Sequence, residues 1–218
     1  MYVPKYHEET NLAVMHALIR AHALGTWVNS GPEGIVANHI PFFIDSERGE
    51  FGTLIAHVAR ANPVWQSCVD SNPGLIIFQG PECYITPSWY PSKHEHGKAV
   101  PTWDYAVVHA YGEPKAIHDR AWILQALERL TDIHEASQAL PWQVEDAPAE
   151  FIDQLVSAIV GIEIPIQRIV GKWKTHQNRS ASDQLGVVAG LMGRGDNESL
   201  AMAALVQQHN ATNTGKEK

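Results

Sequence analysis

The chain has 218 residues, of which 44% are hydrophobic and 18% charged, and its formal net charge is −8. This composition can build one well-filled core, while the negative charge argues against broad nucleic-acid binding. No stretch approaches the roughly 18 uninterrupted apolar residues of a membrane span, and the early charges Lys5, Glu8 and Glu9 are unlike a signal peptide, so the sequence predicts a cytoplasmic protein.

The first half of the chain is predicted to be mainly β-strand. An amphipathic helix opens it over residues 8–23, where Leu12, Met15 and Ile19 recur at helical spacing. Short apolar runs separated by turn signals then predict strands. They cover residues 24–30, 35–45, 51–58, 74–80, 83–90 and 102–117. Strands with such tight connections predict a closed or nearly closed antiparallel barrel.

The second half is predicted to be mainly helical. Helices are expected over residues 119–136, 147–161, 182–192 and 196–209. Asp119 is the predicted N-cap of the first, and Gly161 is predicted to end the second. A late strand over residues 162–174 contains Pro165, which favours an edge position.

The predicted fold class is therefore mainly β with peripheral helices (α+β). Residues 1–192 are predicted to form the barrel domain with its packed helices, and residues 193–218 a C-terminal helix and tail. The last nine residues are predicted to be disordered.

A candidate anion site lies where the strand of residues 51–58 leads into the next turn. The strand carries His57, and Arg60 follows it. Asn62 before Pro63 is a strong helix-start signal, and free N–H groups at a helix start bind phosphate well beside an arginine. The alternative is an exposed arginine and a structural histidine.

The segment YITPSWYPSK, residues 84–93, is a second candidate. Pro87 predicts a bend or bulge in a strand, and Ser88, Ser92 and Lys93 would add donors near the same anion. The aromatic side chains that would provide walls for a planar ring are Trp89, Tyr90 and Trp103. The alternative is that these aromatic side chains fill the barrel core.

Two lysines two residues apart form a third candidate. Lys172 and Lys174 are predicted on one face of a strand, with Trp173 on the other. Paired cations of this kind commonly mark a solvated strand edge. Alternatively, one of them lies near an electron-rich ring and stabilises the negative charge that reduction creates.

Four motifs occur together in order: RANPVW, FQGPECYITPSWYPSK, VPTWDYAVVHAYG and GKWKTHQNRSASD. With the N-terminal MYVPKYHEE, they make the chain resemble the PaiB-like family of FMN-binding negative transcriptional regulators, within the FMN-binding split-barrel superfamily. The resemblance covers residues up to about 192. It implies a homodimeric antiparallel split barrel with FMN at the subunit interface, related in fold to pyridoxamine-phosphate oxidases, flavin reductases and haem-utilisation proteins.

The resemblance also implies residues for the FMN site. His57, Arg60 and Asn62 would lie around the phosphate. The other implied FMN-binding residues are Asn38, His39, Pro41, Ser88, Trp89, Tyr90, Lys93, Thr102, Trp103, Lys172, Lys174 and Gln177. The chain departs from the family pattern at Asp104, where Asn is frequent, and at Thr175 and His176, where Ser is common. An extra carboxylate near an anionic cofactor would weaken its binding.

The family's regulatory title implies contact with DNA, but the helices do not favour it. The predicted helices over 119–136 and 147–161 are far apart for a helix-turn-helix, and residues 148–160 contain no Lys or Arg. A recognition helix needs donors for phosphates and base edges. The sequence therefore predicts weak or absent direct DNA binding, with any regulation acting through the flavin, a redox partner or a regulatory protein.

Three functions remain open: an FMN-binding negative transcriptional regulator, an FMN-dependent oxidoreductase or flavin reductase, and a haem-binding or haem-degrading split barrel. The third is prompted by twelve histidines and by the fold relatives. The HEH run at 94–96 lacks a third ligand of clear spacing, so no metal site is predicted. Cys68 and Cys83 lack a CxxC spacing and are predicted to be core thiols.

Overall fold

The long strands show alternating burial, because successive side chains of a strand point to opposite faces. The computed structural model describes residues 1–31, 34–70 and 73–213. Its strands are β1 (Glu8–Glu9), β2 (Leu24–Gly31), β3 (Gly34–Pro41), β4 (Phe43–Asp45), β5 (Thr53–Ala59), β6 (Gly74–Ile85), β7 (Thr102–Gly112), β8 (Lys115–Ile117) and β9 (Ile159–Lys174).

Hydrogen bonding links these strands in the order β3-β2-β6-β7-β9-β5-β4, and β1 and β8 also pair with β9. The hairpin pairs predicted early in the chain are present and antiparallel: Trp27 lies opposite Asn38 in β2 and β3, and Ile44 lies opposite Leu54 in β4 and β5. The predicted strand of residues 35–45 is interrupted at Phe42, which is buried between β3 and β4.

The α-helices are α1 (Leu12–Ala21), α2 (Pro91–His96), α3 (Arg120–Glu135), α4 (Ala149–Ser157), α5 (Ala181–Arg194) and α6 (Asn197–Asn213). The predicted N-cap Asp119 is confirmed, because its carboxylate accepts a hydrogen bond from the Trp122 N–H at 2.8 Å. Helix α6 extends through Asn213, four residues into the segment predicted to be disordered, and residues 214–218 lie outside the described residues. Within the described ranges, no helix is long and apolar enough to cross a membrane.

The prediction of a strand over residues 83–90 is wrong after Ile85. Pro87 begins a short 3₁₀-helix, Pro87–Trp89, and the Thr86 side chain accepts a hydrogen bond from the Ser88 N–H. Proline has no N–H for the strand ladder but suits the first position of a helix. The segment therefore turns into α2 instead of continuing the strand.

The edge position predicted for the late strand is also wrong. Strand β9 lies between β7 and β5 in the pairing order, and Pro165 pairs in register with Thr53. The next amide, the Ile166 N–H, donates to the Gly52 carbonyl at 3.0 Å. Pairing thus continues past the proline, and β9 is an interior strand.

Gly161 does not end a helix as predicted. Helix α4 ends at Ser157, and Gly161 lies in β9 opposite His57. A Cβ atom at Gly161 would lie 2.4 Å from the Trp122 ring. The glycine is therefore required for close packing of the indole on the strand.

The chain divides into two compact units. The first unit comprises Met1–Met15, Gln79–Val108 and Val170–Lys218, and the second comprises His16–Phe78 and His109–Ile169. In the first unit, the core between the end of β6 and helices α5 and α6 consists of Cys83, Ile85, Tyr90, Val187, Val188, Leu191, Met202, Ala203 and Val206. In the second unit, Phe42 and Phe78 pack edge to face with centroids 5.9 Å apart.

Candidate functional site

The predicted helix start at Asn62 is present in the second unit. The Asn62 Oδ1 accepts a hydrogen bond from the Val64 N–H at 3.0 Å, and the helix it caps is a 3₁₀-helix, Pro63–Asp70. The Asn62 Nδ2 donates to the Asn38 Oδ1 at 2.9 Å. This bond brings together two of the predicted site residues, one from β3 and one from the turn after β5.

Arg60 is held by backbone carbonyls just after the end of β5. Its Nε donates to the Ser157 carbonyl at 2.8 Å and its Nη2 to the Ile159 carbonyl at 2.7 Å. The Nη1 lies 3.4 Å from His118 Nδ1. A guanidinium has five N–H donors, and Arg60 is exposed, so its orientation is fixed while donors stay available to a ligand.

Asn38 and His57 contribute neutral polar groups near this turn. The Asn38 Nδ2 is buried and has no hydrogen-bond partner in the described part of the chain. Burial lowers the pKa of His57, so its imidazole is neutral at neutral pH. His39 and Pro41 are exposed on the same strand as Asn38. We call Asn38, His57, Arg60 and Asn62 the polar turn.

The first unit contains a buried chain of three polar side chains, which we call the histidine relay. The Tyr90 hydroxyl and His176 Nε2 are 2.7 Å apart, and His176 Nδ1 hydrogen-bonds Asp104 Oδ2. Because a carboxylate accepts, Nδ1 carries the hydrogen of the second bond. Burial raises the pKa of Tyr90 to about 12, so its hydroxyl keeps its proton. Asp104 Oδ1 is buried and unpartnered among the described residues.

Lys172 and Lys174 are not on a solvated edge. Lys172 is buried, with Nζ 5.0 Å from the centroid of the Tyr105 ring, and Trp173 is also buried. Lys174 Nζ donates to Thr102 Oγ1 and to the Trp103 carbonyl. Burial lowers the pKa of Lys174, with Lys172 acting in the same direction and Asp104 against it.

Gln177 ties the N-terminus to the end of β9. Its Oε1 accepts hydrogen bonds from His7 Nδ1 and from the Thr175 N–H, both at 2.9 Å, while its Nε2 donates to the Trp173 carbonyl. Burial lowers the pKa of His7. Both ends of the Gln177 amide are thus engaged within the protein.

The residues predicted in segment 84–93 lie mostly against α5. Tyr90 is fully buried in the first unit's core. The Arg194 guanidinium carbon lies 4.5 Å from the centroid of the Trp89 ring. Lys93 Nζ donates to Ser88 Oγ at 3.4 Å, and Trp103 is 53% exposed. Tyr90 is therefore part of this core, and the partly buried Trp89 packs against it.

A pocket of about 180 Å³ opens in the first unit. The polar side chains used below line it: His7, Thr102, Asp104, Lys174, His176 and Arg179. Its volume is below the roughly 300–1,000 Å³ of sites for drug-sized ligands. In the chain as described, this pocket suits a small ligand.

The sequence interpretation missed His7 and Arg179, and it did not foresee the bonds among Tyr90, Asp104 and His176. One signal was available, because Asp104 and His176 are both departures from the family pattern. Among the described residues, no group of three or more His, Cys, Asp or Glu side chains is arranged to hold a metal ion. The HEH run of residues 94–96, at the end of α2, is not part of any such group.

The sequence matches the family model described as "Putative FMN-binding domain" over residues 1–168. An uncharacterised protein of Emericella nidulans is 30% identical, with 95% of this chain and 97% of the relative covered. Protease synthase and sporulation protein PAI 2 of Bacillus subtilis is 27% identical, with the same coverage of both chains.

Among solved structures, the FAD and haem binding protein from Mycobacterium smegmatis is similar in fold. The TM-score is 0.61 at 13% sequence identity, and the match covers 84% of this chain and 80% of that chain. The antiparallel split-barrel fold expected from the sequence is thereby confirmed.

Proposed function

The chain belongs to the family described as "Putative FMN-binding domain", and from this premise we propose that it is a homodimeric flavoprotein whose cofactor is FMN. The match of the family model over residues 1–168 carries the proposal. When bound, FMN supplies electron and hydride transfer. The protein's own residues supply binding, orientation and charge.

The polar turn fits the phosphate of FMN. A phosphate needs N–H donors and a cation, and Arg forks suit it well. Arg60 offers the donors that the Ser157 and Ile159 carbonyls leave free. The unpartnered Asn38 Nδ2 adds a buried amide donor. We assign phosphate binding to Arg60 and Asn38, with Asn62 holding the Asn38 side chain in place.

Removing the Arg60 side chain is expected to weaken FMN binding about 10- to 100-fold. The reason is that a hydrogen bond to a charged group contributes about 1.5–3 kcal/mol. The measurement is a titration of the full chain with FMN and with riboflavin, in which the change in flavin absorbance reports binding. Wild type should bind FMN more tightly than riboflavin, and Arg60→Ala should reduce that difference about 10- to 100-fold.

Arg120→Ala is the matched control, because Arg120 is an exposed arginine of the second unit paired with Asp153. It should leave FMN affinity unchanged. If the wild type bound FMN and riboflavin with equal affinity, the polar turn would not be the phosphate-binding site. A Soret band on haem addition, with no flavin bound, would favour the haem alternative instead.

The outer hairpin supports the dimer in this proposal. Strand β3 ends the pairing order and exposes Ile35 by 81% and Val36 by 43%. An exposed apolar end strand is prone to pair with a second copy. Sedimentation of the same titration sample should give twice the mass of one chain. If a monomer retained FMN, the FMN site would not lie at a subunit interface.

Regulation, if the protein has this role, is proposed to act through the flavin or a protein partner. The Bacillus subtilis relative is named for protease synthase and sporulation, which suggests a regulatory role for this chain too. Helix α4 has no Lys or Arg, and the chain's net charge is −8. Phosphate contacts supply most non-specific DNA affinity.

We therefore expect no sequence-specific DNA complex from the purified protein, with or without FMN. The check is fluorescence anisotropy of labelled duplexes from the region upstream of its own gene, at low salt and at physiological salt. A complex that survives physiological salt and resists competitor DNA would contradict the proposal. Salt-sensitive binding to every duplex alike would agree with it, because that is non-specific attraction.

A further inference from the structure

The pocket of the first unit contains Arg179, whose charge also acts on Asp183 and lowers the pKa of that carboxyl group. Arg179 lies with its guanidinium carbon 5.3 Å from the centroid of the Tyr90 ring. Within the described residues, its guanidinium donates no hydrogen bond to the protein. The planar fork of an arginine matches a carboxylate with two parallel bonds. Arg179 is thus available as an anion receptor.

The pocket has a net cationic character. Lys174 and Arg179 line it together with a single acidic side chain, Asp104, and Lys172 is close enough to lower the pKa of Lys174. Thr102 and the Trp103 carbonyl orient the Lys174 ammonium. The balance of these side chains favours a ligand with one negative charge.

Asp104 adds a second requirement. Its Oδ2 is held by His176, and its buried Oδ1 has no donor in the described chain. A buried polar atom without a partner costs about 1–3 kcal/mol, so a ligand that donates to Oδ1 gains this much from pairing. An anion without a hydrogen-bond donor would leave Asp104 Oδ1 unpartnered, so the free-energy cost of its burial would remain.

We propose that this pocket binds a small 2-hydroxycarboxylate. Its carboxylate pairs with Arg179 and Lys174, and its hydroxyl donates to Asp104 Oδ1. A 2-aminocarboxylate has the same pattern of acceptor and donor, but its zwitterion carries no net charge and suits the cationic lining less well. The proposal assigns Lys174 and Thr102, which the family resemblance places in the FMN site, to this pocket instead.

Glycolate is the probe, with acetate and glycine as comparison ligands, in calorimetric titrations of the purified full chain. Glycolate should bind at least about tenfold more tightly than acetate, because acetate lacks the donor. Glycolate should also bind more tightly than glycine. Arg179→Gln should weaken glycolate binding by at least about tenfold, and Arg179→Lys should restore part of it because the charge remains.

Arg168→Gln is the matched control, since Arg168 lies over the Tyr111 ring at 3.5 Å in the second unit. It should leave glycolate affinity unchanged. Asp104→Asn keeps an acceptor for His176 and should bring glycolate and acetate affinities together. This convergence would not follow from a purely structural role of Asp104.

The proposal would be overturned by no binding of glycolate at millimolar concentration, by equal affinity for acetate, by tighter binding of glycine, or by no effect of Arg179→Gln. A further titration with saturating FMN separates this site from the flavin site. Unchanged glycolate affinity supports two sites. Loss of glycolate binding would assign the pocket to the flavin and end the proposal.

Discussion

Replacing His176 with alanine is expected to destabilise the protein by about 2–6 kcal/mol, because each of the two buried polar groups left without a partner costs about 1–3 kcal/mol. The change leaves the buried Asp104 carboxyl and Tyr90 hydroxyl without the partners they have in the wild type. Since the whole stability of a domain is about 5–15 kcal/mol, much of it would be lost. Urea unfolding followed by far-ultraviolet circular dichroism measures the change.

Backbone strain provides the sharpest test of this explanation. His176 has a positive φ of 63°, a conformation that glycine adopts freely. His176→Gly removes the same side chain and relieves the strain, so it should lose less stability than His176→Ala but still lose some. If His176→Gly is more stable than wild type, the relay does not stabilise the fold. His134→Ala, on the exposed face of α3, should change the free energy of unfolding by no more than about 0.5 kcal/mol.

Gly186→Ala is expected to destabilise the protein by about 2 kcal/mol or more, although alanine favours helices. A Cβ atom at Gly186 would lie 2.0 Å from the Trp89 carbonyl oxygen and 3.1 Å from Pro91 Cδ. The first is a backbone atom that no side-chain rotation can move away. Overpacking of this kind costs typically about 1–3 kcal/mol, and the helix must shift to relieve it.

Gly193→Ala on the same helix provides the control. Nothing lies within 4 Å of a Cβ atom at Gly193, so this change should stabilise the protein by about 0.5–1 kcal/mol through helix propensity. Differential scanning calorimetry should show the melting temperature falling by about 4–8 °C for Gly186→Ala and rising for Gly193→Ala. Similar shifts in the same direction would mean that α5 does not lie against Trp89 as described.

Local chemistry made several parts of the structure predictable. Asp119 and Asn62 cap helices as expected, because their short side chains reach N–H groups only two or three residues away. The hairpins β2–β3 and β4–β5 follow from turn residues between apolar runs. The family membership also followed from the sequence, because the four motifs are specific and extend over most of the chain.

The errors occurred where one pattern permits two structures. Pro87 suits a bulge as well as a helix start, and the local sequence does not choose between them. Pro165 favours an edge in isolation, yet β9 accepts it between two strands because the neighbouring amide keeps its partner. Gly161 resembled a helix end, whereas its actual role is to make room for the Trp122 ring.

By itself, the sequence determined most of the long strands and helices in their order, the family, and the group of residues from which a cofactor site is proposed. The tertiary structure decided which polar groups meet. Tyr90, Asp104 and His176 are far apart in the chain, and their hydrogen bonds exist because β7, the end of β9 and the turn after β6 pack together in one unit. Hydrogen bonding depends on distances of about 3 Å, and the spacing of residues along a chain does not set such distances between remote segments.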